Sequence, residues 1–180
     1  MTAPTIDLTE VQIGTALRSF LLSILPSLQV LKTQVNMVTP PPEGTDFIYW
    51  TPLGSNRLAT NVETWDVTTQ TPTVLNHTDS EQLDVQLDIY GPNAGDNCRL
   101  IKALFRSGYA YDYFQGLDLP LTPLYGDEGV QMPMINGEQQ YENRWKLTVS
   151  FEGDFTISTT QQFADTLSVG LIDVDSTYPP

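Results

Sequence analysis

Gln82-Leu83-Asp84-Val85-Gln86-Leu87-Asp88-Ile89-Tyr90 alternates without a break: Leu83, Val85, Leu87 and Ile89 fall on one side, Asp84, Gln86 and Asp88 on the other. A period of two marks a strand with one buried and one wetted face, because successive Cβ atoms point to opposite sides of the pleat. Asp84 and Asp88 are therefore expected to face water or a partner. Gly91-Pro92 closes the strand, Asn93 to Asp96 offers capping residue types, and Cys98, Ile101, Ala103, Leu104 and Phe105 fill a helix ending near Gly108. Strand followed at once by helix is the unit from which the rest is read.

Downstream, Tyr109, Tyr111, Tyr113 and Phe114 form an aromatic cluster, and the stretch from Gly116 to Gly137 carries Pro120, Pro123 and Pro133 among several glycines. This predicts a long structured loop with one short strand around Leu121 to Tyr125. Loops of that length inside a domain commonly serve partner binding, so a neighbour is expected to touch it. A second strict alternation follows, with Tyr141, Asn143, Trp145, Leu147, Val149 and Phe151 against Gln140, Glu142, Arg144, Lys146, Thr148 and Ser150. At roughly 3.3 Å per residue it reaches about 37 Å, long for a strand, and predicts a central or protruding ribbon. The remainder predicts a short helical stretch around Phe163 and a last strand at Val169 to Val174.

Upstream, Asp7 stands three residues before Glu10, and Ile13, Ala16, Leu17, Phe20, Leu21, Ile24 and Leu25 make one helical stripe that Pro26 ends. Leu28 to Val38 reads as a strand, broken by Pro40-Pro41-Pro42 and Gly44. Phe47 to Thr51 then resumes extended structure before Pro52, as in a hairpin-like pair. Leu58 to Val67 is a further strand, and Val74 to His77 continues it across a bend at Pro72. The pattern predicts one α+β domain over residues 1–180, in which a mixed or antiparallel sheet carries two main helices on one face, beside the long structured loop.

Composition narrows the function. Hydrophobic residues make up 40% of the chain and charged ones 17%, a balance that folds. The 22 acidic and 8 basic side chains leave a net charge of −14, whose field repels phosphate backbones, so tight nucleic-acid binding is not expected. Simple solubility is the plainer meaning of that acidity, and a surface past which a polyanion slides without sticking the sharper one. Cys98 is the only cysteine, so the chain forms no disulfide within itself and no Cys-based metal site. The first apolar stretch has Asp7 and Glu10 before it and Arg18 within it. That is the wrong polarity for a secretory signal and too short for a membrane span, so a cytoplasmic start is expected.

Catalytic chemistry finds few candidates. His77 lies in an Asn-His-Thr-Asp context that reads as an exposed loop, with no Gly-x-Ser-x-Gly beside it. Glu81, Asp84 and Asp88 are acids on one strand, as a solvated face commonly is, and nothing else suggests a glycosidase pair. Asp127 and Glu128 lack the EF-hand spacing. No phosphate loop, dinucleotide fingerprint or paired Cys/His spacing occurs. In Arg144-Trp145-Lys146 the strand points Trp145 away from both cations, toward a core and not a base-stacking platform. No catalytic residue, cofactor or metal is expected.

Several segments together resemble a family of neck or tail terminator proteins found in phages with contractile tails. They are Phe47-Ile48-Tyr49-Trp50-Thr51-Pro52 with Arg57-Leu58-Ala59-Thr60-Asn61; Gln86-Leu87-Asp88-Ile89-Tyr90-Gly91-Pro92; Asp96-Asn97; Leu104-Phe105-Arg106; and Pro123-Leu124-Tyr125. Gln131-Met132-Pro133 belongs with them, as does the longest run, Ile135-Asn136-Gly137-Glu138-Gln139-Gln140-Tyr141-Glu142-Asn143-Arg144-Trp145. Gln161-Gln162-Phe163-Ala164-Asp165 and Val174 to Pro180 fit as well, so the likeness runs from about Ile13 to the C-terminus.

The resemblance implies an α+β subunit of the virion whose copies form a ring, a hexamer, on the end of the tail tube. Its partners would be itself, tube and sheath proteins, and head-completion or connector proteins, with DNA passing through, no membrane involved and assembly in the host cytoplasm. It implies no catalytic residue. Within such a ring, Arg144 and Lys146 facing Asp84, Asp88 or Glu142 of a neighbouring copy are candidates to set register. Tyr111 and Tyr113, with Met132 and Met134 in the loop, are candidates for contact with tube or head-completion proteins. A head-completion or stopper protein, a carbohydrate-binding or glycan-active protein, and a monomeric binding module remain the alternatives.

Overall fold

In the computed structural model, which describes residues 3–35, 41–42, 44–66, 73–135 and 141–161, the two alternating stretches pair with each other. The elements run β1 (Thr5–Ile6), α1 (Glu10–Ile24), β2 (Gln29–Lys32), β3 (Phe47–Arg57), β4 (Val62–Asp66), β5 (Thr73–Tyr90) and α2 (Ala94–Phe105). They continue with α3 (Gly108–Gln115), β6 (Leu121–Gly126), β7 (Val130–Gln131), β8 (Met134–Ile135), β9 (Tyr141–Glu142) and β10 (Arg144–Gln161). Positions 36–38, Val67, Pro72, the helical stretch at Phe163 and the strand at Val169 to Val174 lie outside the described residues.

β5 and β10, each 18 residues, run antiparallel in unbroken register from Arg144 opposite Tyr90 to Gln161 opposite Thr73. Both extend well past the alternating stretches that announced them, into Thr, Ser, Asn and His positions where apolar periodicity fades. The main sheet takes the order β1-β10-β5-β3-β2, with β4 on β5 and with β6 and β7 on β10. β2 pairs with β3 in parallel, so the expected hairpin is corrected. A hairpin needs a tight turn, and the stretch 33–46 is long enough to return the chain to its starting end, as parallel pairing requires. Pro52 does not end β3. The strand passes it at a register shift between Pro52 and Gly54, beyond the last residue of β2, where an edge tolerates a missing N–H.

The first helix starts one motif later than expected. Thr9 and Gln12 form a reciprocal capping box: the Gln12 N–H donates to Thr9 Oγ1 (3.3 Å) and the Thr9 N–H to Gln12 Oε1 (2.8 Å). Asp7 does other work, its carboxylate accepting the Thr156 N–H at 2.8 Å and tying the chain's start to β10. Gly14 lets α1 lie close on the sheet, since a Cβ there would stand 2.5 Å from the Trp50 ring. The aromatic stretch after Gly108 folds as a third helix, α3, its first turn capped by Ser107. Its period is helical, with Ala110 and Phe114 buried, so a short third helix joins the two main ones.

All three helices meet the sheet's apolar face in one core. Phe20 of α1 lies 5.9 Å from Phe105 of α2 and 5.3 Å from Phe114 of α3. Phe105 and Phe114 in turn stand 5.1 Å and 5.2 Å from Phe151 of β10. Val85, Leu87, Ile89, Leu147 and Val149 complete the floor of this α+β layer pair. Trp145 packs at its margin against α2, as its strand position predicts. The core fades at Phe155. Beyond it β5 and β10 continue as an arm, flanked by β4 and β1, where Leu75 is buried and Ile157 exposed, both apart from the main cluster.

Candidate assembly interface

The alternation that buries Leu83 to Ile89 turns Asp84, Gln86, Asp88 and Tyr90 of β5 to the helix-free face, beside Arg144, Lys146, Thr148 and Ser150 of β10. Tyr49 and Thr51 of β3 share it, being opposite Asp88 and Gln86. Two acid-centred clusters form. In one, Asp84 Oδ1 accepts from Ser150 Oγ (2.6 Å) and Gln82 Nε2 (2.9 Å). In the other, Asp88 Oδ1 accepts from Arg144 Nη2 (2.8 Å) and Nε (3.1 Å), and Oδ2 from Gln86 Nε2 (2.8 Å).

Asp88 is only 5% exposed, although a sheet face without helices was expected to leave it in water. The long side chains of its own strands lie over it, and its cation belongs to the same chain. The register that puts Arg144 within reach is set by pairing between distant segments, which alternation alone does not reveal. Burial by itself lowers the Arg144 pKa. The hydrogen bond and charge of Asp88, with Tyr90, outweigh it and hold the guanidinium above its ordinary value. Lys146 stands directly opposite Asp88 yet has no hydrogen bond or ion pair among the described residues.

Glu142 and Met134 are not on this face. The expected alternation breaks at Asn143, and β9 pairs with β8 in a separate small hairpin, with Glu142 opposite Met134. Tyr141, placed on the apolar face by its spacing, is 79% exposed in consequence. This hairpin, Pro41, Pro42 and the aromatic side chains Phe47, Tyr49 and Tyr90 border a groove of about 500 Å³. Phe47 stacks on Tyr90 at 4.7 Å and 7° between planes, and Tyr49 meets Tyr90 edge-on. Burial pushes the Tyr90 hydroxyl pKa up, Arg144 opposes, and Asp88, Tyr49 and Glu142 add to the rise. The aromatic trio was not among the candidates from sequence. Only the register of β3 on β5 brings it together.

Tyr111 and Tyr113 lie on α3, behind the sheet from Arg144. Tyr111 is exposed, whereas Tyr113 packs on Phe20 at 5.5 Å and its hydroxyl shares a 2.8 Å hydrogen bond with Ser19. Met132 is exposed, and its backbone N–H donates to the Arg144 carbonyl. The candidates therefore separate into a charged sheet face, a groove at its end and a helix surface behind it. His77 is no loop residue. It sits inside β5 with Nδ1 3.3 Å from Glu63 of β4. Glu128 is paired with Lys102, and no group of three or more His, Cys, Asp or Glu able to hold a metal ion occurs among the described residues. No described helix is long and apolar enough to cross a membrane.

Among the described residues the geometry gives contact surfaces: the charged sheet face, the groove and the surface of α3. A comparison with the curated proteins finds no match. The family model for the phage neck terminator protein matches residues 11–176, from α1 through both long strands. With nearly the whole chain inside that match, the chain belongs to the phage neck terminator protein family, a structural and non-enzymatic component of the virion neck.

Proposed function

We propose that the protein is the tail terminator of a contractile-tailed phage. In this reading a hexameric ring caps the head-proximal end of the tail tube, joins it to the head-completion proteins and lets DNA pass. The family match over residues 11–176 carries the reading. The net charge of −14 supports the passage of DNA, because an acidic wall guides a polyanion without holding it. Lys146 is the sheet-face charge open to a neighbouring copy, beside Asp84 and the self-paired Arg144 and Asp88. Glu142 and Met134 offer a neighbour the groove rim, and Tyr111, Tyr113 and Met132 offer contact to tube or head-completion proteins.

Native mass spectrometry of the full chain is expected to give a six-fold multiple of 20.1 kDa. Cross-linking of purified virions then places the ring. Links to tube subunits identify a terminator, and links to head-side proteins alone would move the assignment to a stopper.

A further inference from the structure

The chain has 8 basic residues against a net charge of −14, and three of them lie between Arg99 and Arg106. Arg99, Ala103 and Arg106 follow at intervals of four and three residues and so share one stripe along α2 and its end, with Leu100 beside it. All four are exposed. Lys102 is paired with Glu128. Arg99 lies 5.9 Å from the Trp145 ring and pairs with Asp96 at 2.9 Å, on an open surface where such a pair exchanges at little cost. Arg106 makes no hydrogen bond or ion pair among the described residues. Elsewhere Arg18 donates to the Val30 carbonyl, Lys32 pairs with Glu10, Arg57 with Asp79 and Arg144 with Asp88, while Lys146 lies on the opposite face of the sheet. Among the described residues, only this stripe offers two guanidiniums on one open surface.

Acids that can meet it follow Gln161. Residues 162–180 carry Asp165, Asp173 and Asp175 and no base. They leave from the arm, where Glu63, Asp79, Glu81 and Asp154 outnumber Arg57 and repel them. Length selects among the three. Phe105 at the end of α2 packs on Phe151 at 5.1 Å, so Arg106 lies about ten residues back along β10 from Gln161, roughly 33 Å at the rise of a strand. At about 3.5 Å per residue Asp165 reaches roughly 14 Å from Gln161, whereas Asp173 and Asp175 reach roughly 42 and 49 Å. Two residues apart on an extended chain, these two fall on one side about 7 Å apart, against about 10 Å between Arg99 and Arg106 along the helix. The family match extends to residue 176 and so includes both acids.

We propose that residues 162–180 fold back on their own copy and dock Asp173 and Asp175 on the Arg99–Arg106 stripe. Exposed ion pairs are weak between free partners, but the tether holds these acids at an effective concentration on the order of millimolar, which favours the contact within one chain. Leu171, Ile172 and Val174 accompany the acids and bring apolar surface to Leu100 and Ala103. The contact lies within one copy, so it stands or falls apart from the ring reading.

The test is amide hydrogen exchange on full-length chains: wild type, a reversed stripe (R99E/R106E), a reversed tail (D173K/D175K) and both reversals combined. Amides of residues 170–178 are expected to be protected in wild type to the same degree at every protein concentration. Either reversal alone turns attraction into repulsion and is expected to speed their exchange roughly 10-fold, and the combination is expected to restore protection. R106E alone, which removes no described hydrogen bond or ion pair, is expected to act in the same direction with the melting temperature near wild type.

Wild-type amides at 170–178 that exchange as fast as a free peptide would overturn the docking. So would protection that no reversal changes, or that the combined variant, folded by circular dichroism, fails to regain. Protection that grows with protein concentration would also overturn it, by moving the contact to a neighbouring copy.

Discussion

Asp88 and Arg144 show how one residue pair can be costly to break yet contribute little net stability. The Asp88 carboxylate is nearly out of water and its partner's side chain is 26% exposed, so the pair lies between the buried and surface regimes. Removing only the acid leaves a half-desolvated guanidinium and an unused Gln86 amide. Asp88→Ala is accordingly expected to cost about 2–3 kcal/mol in urea unfolding, below the 3–5 typical of a fully buried pair. Asp88→Leu with Arg144→Met should recover most of that loss. A double variant as weak as the single one would show that packing, not the stranded charge, sets the cost. Tyr90 gives a pH signature at the same place. Its folded pKa is raised above 10, by burial first, so the folded state holds the proton more tightly than the unfolded chain. The resulting stability is fully present below pH 10 and is lost as pH rises through the folded value. Tyr90→Phe should therefore flatten the loss of stability above pH 10, read by denaturant midpoints. An unchanged alkaline slope would move the effect to other tyrosines.

At the scale of elements, α1 on the sheet sets local preference against packing. Alanine favours a helix by about 1 kcal/mol over glycine, so Gly14→Ala should raise the helicity of an isolated 10–24 peptide. In the whole protein the new Cβ meets the Trp50 ring at 2.5 Å, and overpacking of this kind costs roughly 1–3 kcal/mol. A lower melting temperature is expected, and a higher one would mean that α1 shifts freely. The same contest between local and distant terms explains what could be read from the sequence. The stripes of α1 and α2 and the alternations in β5 and β10 were legible because each buries one face, and a buried face imposes its period. The outer halves of both long strands were not, since the arm leaves helix-side positions such as His77, Asp79 and Thr159 without a core to pattern them. Helix α3 was read as an aromatic cluster because its tyrosines surround the two residues, Ala110 and Phe114, that carry the helical signal. Parallel pairing of β2 with β3, the self-pairing of Asp88 and the Phe47–Tyr90 stack all depend on register between segments far apart in the chain. Charge types on the candidate face were therefore readable, but their partners were not.

For the whole molecule, salt should act in the same direction on folding and on assembly. A net charge of −14 repels itself within each copy, most strongly along the acidic arm, and compactness works against that repulsion. Raising potassium chloride from 20 mM to 0.5 M shortens the screening length from roughly 20 Å to about 4 Å. The unfolding free energy of the single copy should then rise, on the order of 1 kcal/mol for so unbalanced a chain. Chloride is the proper choice, because sulfate also strengthens apolar burial and would mask the charge effect. Bringing copies of like charge together in the proposed ring works against the same field, so the concentration needed for assembly should fall over that range as well. Measuring urea midpoints and native mass distributions on the same samples gives both slopes. If assembly instead weakens with salt while folding strengthens, attraction between unlike charges of neighbouring copies outweighs the net repulsion, and Lys146→Glu should then weaken assembly at low salt.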